Sequence, residues 1–256
     1  MVEIKLDLRK SVEENAGLHF EKAKKLKKKL VGAKATVERV RKELDRFEKK
    51  ELAAVELPKV DRRKQWFEKF RWFLSSEGFL VVGGRDATTN EIIIKKHTEP
   101  EDLVFHTDMS GSPFFVVKAD GKQPGVQTLR EAADATFSFS RSSKTGMTTS
   151  PVFYVTPAQV SRTPNPGESL PKGAFIIRGK TNYIENKFNV AVGIYKGAVM
   201  AGPLEAVQKH CEKYLQLIPG EKKPSDIAKM VRKLIGGELD EIIRALPSGN
   251  CDLKKP

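Results

Sequence analysis

The spacing of apolar residues in the first quarter of the chain constrains its fold most. Ala23, Leu26, Leu30, Ala33, Val37, Val40, Leu44 and Phe47 follow one another at steps of 3, 4, 3, 4, 3, 4 and 3 residues. That alternation keeps the side chains on one stripe of an α-helix and makes a coiled-coil seam of about three heptads. Ser11 and Glu14 have the spacing of a capping box, so the helix is predicted to begin there and to end before Pro58. Gly32 and the small Ala33 weaken one point of the seam. At 1.5 Å per residue the helix would be roughly 60 Å long. So long a stripe needs a cover: a returning helix, a second copy of the chain, or another protein.

The same region carries most of the charge. The net charge is +13 and the isoelectric point about 9.6. From Arg9 to Arg71 there are 21 Lys and Arg against 11 Asp and Glu, so ten of the thirteen excess charges lie there. Lys24, Lys25, Lys27, Lys28 and Lys29 form its densest run. A lysine-rich helix face is often merely solvated, but an excess this local points to an acidic partner. Nucleic acid is the first choice and an anionic membrane surface the second.

Hydrophobic residues make up 39% and charged residues 31% of the chain, a balance that folds rather than staying disordered. Cys211 and Cys251 form no CxxC pair, and the four histidines (His19, His97, His106, His210) have no metal-ligand spacing. No cofactor or metal is expected. The first residues contain no apolar signal core, and no apolar run reaches membrane-spanning length. A cytoplasmic, reduced protein is expected.

Residues 59–76 read as a second helix, with Trp66, Phe70 and Phe73 on one face, Phe67 and Leu74 beside them, and Gly78 as its cap. Strands are predicted at 79–82, 102–107, 113–118, 151–155, 174–178, 190–195, 198–201 and 214–218. Helices are predicted at 87–97, 128–144 (opened by a Thr128–Glu131 capping box), 203–211, 225–235 and 238–246. Gly236 and Gly237 separate the last two, and 163–173 is a Pro/Gly-rich loop. The pattern predicts an α+β class with a mixed sheet. It divides the chain into a basic coiled coil (1–58), an aromatic connecting helix (59–78) and a globular domain (79–256).

Four motifs carry the candidate chemistry. Gly83-Gly84-Arg85-Asp86 is a Gly-rich turn from a strand into a helix. Asp86, or alternatively Thr88 with Glu91, would cap the helix, and Arg85 would be a charged donor to an anion at the helix start. Lys95, Lys96 and His97 close that helix, where cations are favoured in any case. His106 and Asp108 alternate onto one face of a strand. A dyad is conceivable, but no Ser or Cys nucleophile is identifiable beside it, so a hydrogen-bonded or RNA-touching His is expected, and no catalytic residue. Gly173 to Thr181 superficially resembles a P-loop, but five bulky, β-prone residues separate its glycines where a P-loop has four. Arg178, Lys180 and Asn182 then read as a basic strand end and loop suited to a nucleic-acid backbone.

The strings WFEKFRWF, GGRDATTNE, FHTD with a nearby Gly, and LPKGAFIIRGK occur in this order. Together they resemble the NFACT-R domain, the RNA-binding domain of the NFACT family, over most of residues 1–250. The family includes the bacterial fibronectin-binding protein A-like proteins and their archaeal and eukaryotic relatives. Its members act in ribosome-associated quality control, binding large ribosomal subunits that hold a stalled peptidyl-tRNA. The sequence departs from the family at Ser110, where relatives usually carry a second His. It departs again after Ser140-Arg141, where Ser142 and Ser143 stand in place of an aromatic. Both changes remove groups that could touch bases. The NFACT-N and helix-hairpin-helix domains are not in this sequence, so a natural short form or part of a split or truncated protein is expected, without the tailing activity.

The resemblance implies a noncatalytic RNA-binding protein that acts on the large ribosomal subunit or tRNA in the rescue of stalled ribosomes. Arg85, Asp86, Lys95, Lys96, His97, His106, Arg178, Lys180 and Asn182 are its candidate RNA contacts, alongside the lysines of the coiled coil. Expected partners are rRNA or tRNA, the large subunit, a separate chain carrying NFACT-N, and a second copy through the coiled coil, but no membrane. The alternatives are a tRNA-modification accessory or enzyme, favoured only by His106 and Asp108, and a surface adhesin.

Overall fold

Ser11 starts the first helix as its side-chain chemistry dictates. In the computed structural model, which describes residues 4–54, 62–163, 169–171 and 173–254 (the side chains of 45–54 excepted), Ser11 Oγ accepts from Glu14 N at 3.1 Å. Glu14 Oε2 in turn accepts from Ser11 N at 2.8 Å, completing the box. The helix, α1, runs Val12–Ala54 over 43 residues, roughly 65 Å at the standard rise. The segment before it folds back on its first turns. Asn15 Oδ1 accepts from Asp7 N at 2.8 Å, and Asn15 Nδ2 donates to the carbonyls of Asp7, Lys10 and Ser11. The seam residues Ala23 to Leu44 are all exposed; the Phe47 side chain lies outside the described residues.

The chain divides into two units, 1–56 and 57–256. The second is built on β1 (Arg71–Leu74), β2 (Leu80–Gly83), β3 (Leu103–Thr107), β4 (Phe115–Val117), β5 (Val152–Val155) and β8 (Asn182–Ile184). These form an antiparallel sheet in the order β1-β2-β4-β3-β5-β8. β6 (Val160–Ser161) pairs with β7 (Ile176–Ile177) as a small hairpin. β9 (Val190–Tyr195), β10 (Ala198–Gly202), β11 (Tyr214–Lys222) and β12 (Cys251–Leu253) form a second sheet in the order β10-β9-β11-β12.

The six-stranded sheet is a middle layer, which is why its strands are apolar runs rather than alternations. Phe105, Phe115 and Val117 face α3 (Val126–Ser138) and the core shared with the second sheet. Val82, Val104, Val116 and Phe153 face the opposite way and pack with Ile93 of α2 (Ala87–Lys96). α5 (Leu204–His210), α6 (Pro224–Ile235) and α7 (Leu239–Ala245) complete the unit. Gly236 and Gly237, at φ +87° and +94°, break the chain between α6 and α7 as predicted. The turn into β3 is pinned by a buried ion pair, Lys118 Nζ at 2.5 Å from Asp102 Oδ2, with Asp102 also accepting from Glu99 N and Ala119 N.

The connecting helix predicted at 59–76, and with it the 59–78 segment, is corrected. The described part of it is one 3-10 turn, Trp66–Lys69, followed by β1. The i, i+4, i+7 spacing of Trp66, Phe70 and Phe73 imitates a helix. Edge pairing of Arg71–Leu74 with Leu80–Gly83 across a short turn wins instead, because it buries Trp72 and Phe73 completely enough to leave 5% and 0% exposed. Gly78, at φ +89°, closes that hairpin rather than capping a helix. The helix predicted at 128–144 is two: α3, and α4 (Arg141–Lys144) capped by Ser140. Thr128 and Glu131 do not cap α3, which starts after Gly125. They bind the β1–β2 hairpin, Thr128 Oγ1 meeting Ser75 Oγ at 2.9 Å and Glu131 Oε2 accepting from Ser76 N at 2.8 Å. The short strands β6, β8 and β12 have no sequence signature. Much of the 163–173 loop lies outside the described residues.

Candidate nucleic-acid interface

A cleft of about 660 Å³ opens where β1, the β2–α2 turn, the end of β3 and the strap at 173–177 meet. Gly83 and Gly84 make this geometry possible, but not by the route the sequence suggested. Neither has positive φ. A Cβ on Gly83 would strike the Phe115 ring at 2.3 Å, and one on Gly84 would lie 1.8 Å from Asn90 Oδ1. The glycines are there for close approach rather than for a phosphate nest. Gly173, at φ +79°, brings the strap so near that a Cβ would meet Ala87 at 2.5 Å. Asp86, not Thr88, caps α2: its Oδ1 accepts from Thr89 N at 2.8 Å. These bonds, led by the backbone N–H of Thr89, hold its carboxyl below the usual range.

The cation at the heart of the cleft is Arg71, which sequence reasoning missed. It is 8% exposed. Its Nη1 donates to Gly84 O at 2.9 Å, its guanidinium lies 4.9 Å over the Phe139 ring, and Nε has no partner. Among the described residues no carboxylate comes within ion-pair distance of it. Burial, and then repulsion from Arg85, pushes its pKa down to about 10. Arg85, half-buried, has its own pKa lowered by burial and by Arg244. Arg71 and Arg85 therefore repel each other, as do Arg85 and Arg244, and the Asp86 carboxylate offsets only part of that charge, an arrangement that an anion relieves. A signal existed in the sequence: Arg71 stands within Phe70-Arg71-Trp72-Phe73, a cation in a run too apolar to be a surface.

Rings line the rest of the cleft. His106 stacks on Phe114 with centroids 4.0 Å apart, and Phe114 meets Phe175 edge-on at 5.2 Å. His106 Nδ1 donates to Thr107 O at 2.6 Å, which fixes the tautomer. Burial lowers the His106 pKa, against weaker opposing effects of Thr107, Ser112 and Asp108, so the ring is neutral at physiological pH. His106 and Asp108 both line the cleft, but they form no dyad. The strand ends at Thr107, and the Asp108 carboxylate accepts from Tyr183 Oη at 3.2 Å, with no hydrogen bond to His106. Ser110, standing where a second His was expected, lines the cleft. The two thiols are buried, and burial pushes both to about 11, so neither is a ready nucleophile.

Of the other sequence candidates, Lys95 pairs with Glu91 at 2.6 Å and Lys96 is exposed; both sit on α2 away from the cleft. His97 stacks on Trp66 at 4.3 Å and meets Phe70 edge-on, a packing role rather than a surface one. Burial, then Lys69, lowers its pKa. Arg178 donates to Thr163 O at 3.1 Å, the Lys180 carbonyl accepts from Gln159, and Asn182 lies on the edge strand β8. These three flank Thr181, which does line the cleft. On α1, the five lysines at 24–29 are exposed and in no described ion pair. Lys24 and Lys28, and Lys25 and Lys29, are like-charge neighbours at i, i+4, each pair mildly destabilising.

Residues 69–179 match the family model of the NFACT protein RNA binding domain. The archaeal Rqc2 homolog aRqcH of Methanocaldococcus jannaschii is 39% identical over 205 residues, which is 77% of this chain and 30% of that protein. The chain belongs to the NFACT family. Human ribosome quality control complex subunit NEMF is 40% identical over 136 residues, covering 53% of this chain and 12% of its own length. Ribosome quality control complex subunit 2 of Saccharomyces cerevisiae is 27% identical over 190 residues, 71% of this chain and 18% of its own. The chain thus spans less than a third of these NFACT relatives. The C-terminal part of the fibronectin/fibrinogen-binding protein of Streptococcus suis aligns over 69% of this chain and 76% of its own, at 18% identity and a TM-score of 0.39. Arg71, Arg85, His106, Phe114 and Phe175 fall inside the matched NFACT RNA-binding segment; Arg244 lies outside it.

Proposed function

We propose that this chain is the RNA-binding part of a ribosome quality control factor, acting without catalysis on the RNA of stalled large ribosomal subunits or their tRNA. The observation that carries the proposal is the pairing of Arg71 with Arg85, neither in a described ion pair and offset only in part by Asp86, in a cleft that falls mostly within the NFACT RNA-binding segment. The exposed lysines of α1 add a second cationic surface, suited to sequence-independent phosphate contact. Absence of a hydrogen-bonded His–Asp dyad and burial of both thiols favour binding over nucleotide modification. The names of the NFACT relatives favour it over adhesion. Sedimentation of the purified chain with ribosomal subunits tests the proposal. Co-migration with free large subunits, lost as salt is raised, is expected; migration with neither subunits nor tRNA would overturn it.

A further inference from the structure

We infer that the cleft takes one unpaired nucleotide, its phosphate on Arg71 and Arg85 and its base among the rings of His106, Phe114 and Phe175. The RNA recognised here is therefore a single-stranded end or bulge rather than a duplex face. This rests on the RNA-binding reading and narrows it.

The shape of the site carries the inference. A duplex presents its phosphates on a convex surface, which exposed cations such as Lys24–Lys29 meet without any cavity. Arg71 is 8% exposed at the base of a recess, out of reach of a phosphate that stays on a regular helix. A volume of about 660 Å³ lies in the ordinary range of small-ligand pockets. The cleft pairs a cationic end with an aromatic wall, the two surfaces that an unstacked nucleotide offers partners to. His106 suits a base: its neutral ring is locked by Thr107 O, and one face is already held on Phe114 at 4.0 Å. The Asp108 carboxylate, on the rim, holds Tyr183 Oη and keeps acceptor capacity for an amine or a ribose hydroxyl.

The test uses the full chain and two RNAs: a blunt duplex, and the same duplex with a short single-stranded tail carrying a fluorescent adenine analogue. The tailed RNA should bind about tenfold or more tightly than the blunt one, with the analogue quenched on stacking. Arg71→Met and Arg85→Ala should each remove most of that advantage, lowering the affinity for the tailed RNA about tenfold more than that for the blunt duplex. Arg85 is half-buried and makes no described ion pair, so its variant keeps the test open should Arg71→Met fold poorly. Equal, salt-sensitive binding of the two RNAs would overturn the nucleotide cleft and leave RNA binding standing. Binding of neither would overturn both. A free nucleoside monophosphate binding as tightly as the tail would overturn RNA as the source of the nucleotide.

Discussion

Replacing Arg71 by Met separates a functional cation from a structural one. A buried arginine that has an acidic partner is expensive to remove, about 3–5 kcal/mol, because the carboxylate is left stranded. Arg71 has no such partner. Its fall to about 10 corresponds to a cost of about 3 kcal/mol for keeping the charged form in place at neutral pH. Against that stand the hydrogen bond to Gly84 O, worth about 1.5–3 kcal/mol for a charged donor, and the contact over Phe139, worth about 1 kcal/mol. The terms nearly cancel. Arg71→Met should therefore change stability by about 1 kcal/mol or less, roughly 4 °C in melting temperature for a unit of this size. The affinity for single-stranded RNA should fall roughly ten- to a hundredfold, the loss of one charge-assisted phosphate contact. Circular-dichroism melting and fluorescence anisotropy at pH 7 read the two effects. A melting temperature lowered by about 10 °C or more with unchanged RNA affinity would refute the reasoning, since Arg71 would then be a satisfied structural cation.

Asp102→Ala should destabilise the 57–256 unit by about 3–5 kcal/mol by stranding Lys118, and the double variant with Lys118→Met should recover much of that in urea denaturation. Gly84→Ala should cost about 1–3 kcal/mol, because its Cβ cannot clear Asn90 without moving the α2 turn; it should also weaken tailed-RNA binding, and an unchanged melt would show that Asn90 yields freely. Burial lowers the pKa of both His97 and His106 below the ordinary 6.5, so the unfolded chain takes up their protons first on acidification. Stability is therefore full above pH 6.5 and is lost as pH falls through that value toward the folded pKa. Melting temperatures at pH 7.5 and 5.5 should show the loss, and His106→Gln should reduce it.

What the sequence revealed depended on whether local chemistry or tertiary pairing decided the outcome. Ser11 with Glu14, Asp86, and the Gly236-Gly237 pair act on their own few residues, and each stands where its chemistry puts it. The β4 run Phe115–Val117, apolar on consecutive residues, is legible because a sheet covered on both faces needs such runs. Trp66–Leu74 misleads because its aromatics satisfy a helical period by coincidence; only pairing with β2 reveals the strand and puts Arg71 at the cleft. Thr128 and Glu131 mislead in the same way, since their capping-box spacing serves a hairpin some fifty residues earlier in the chain, at |i−j| of 53 and 55. Of the candidate contacts, Arg85, Asp86 and His106 share the cleft because β2, which runs into the start of α2, and β3 end at the same edge of the sheet on either side of β4. His97 has the sequence position of a helix-closing cation, yet its ring packs against Trp66, a contact between residues 31 positions apart that no local pattern encodes.

The salt dependence of RNA affinity tests most directly whether the cationic surplus binds a polyanion. The logarithm of the binding constant for a structured RNA should fall linearly with the logarithm of salt concentration, by about 0.7–0.9 for each phosphate contacted. Replacing Lys24, Lys25, Lys27, Lys28 and Lys29 with Gln should flatten that slope by about 1 for each lysine that touches a phosphate, without lowering the helix content. A flat line for the unaltered chain, or no binding in dilute buffer, would contradict it.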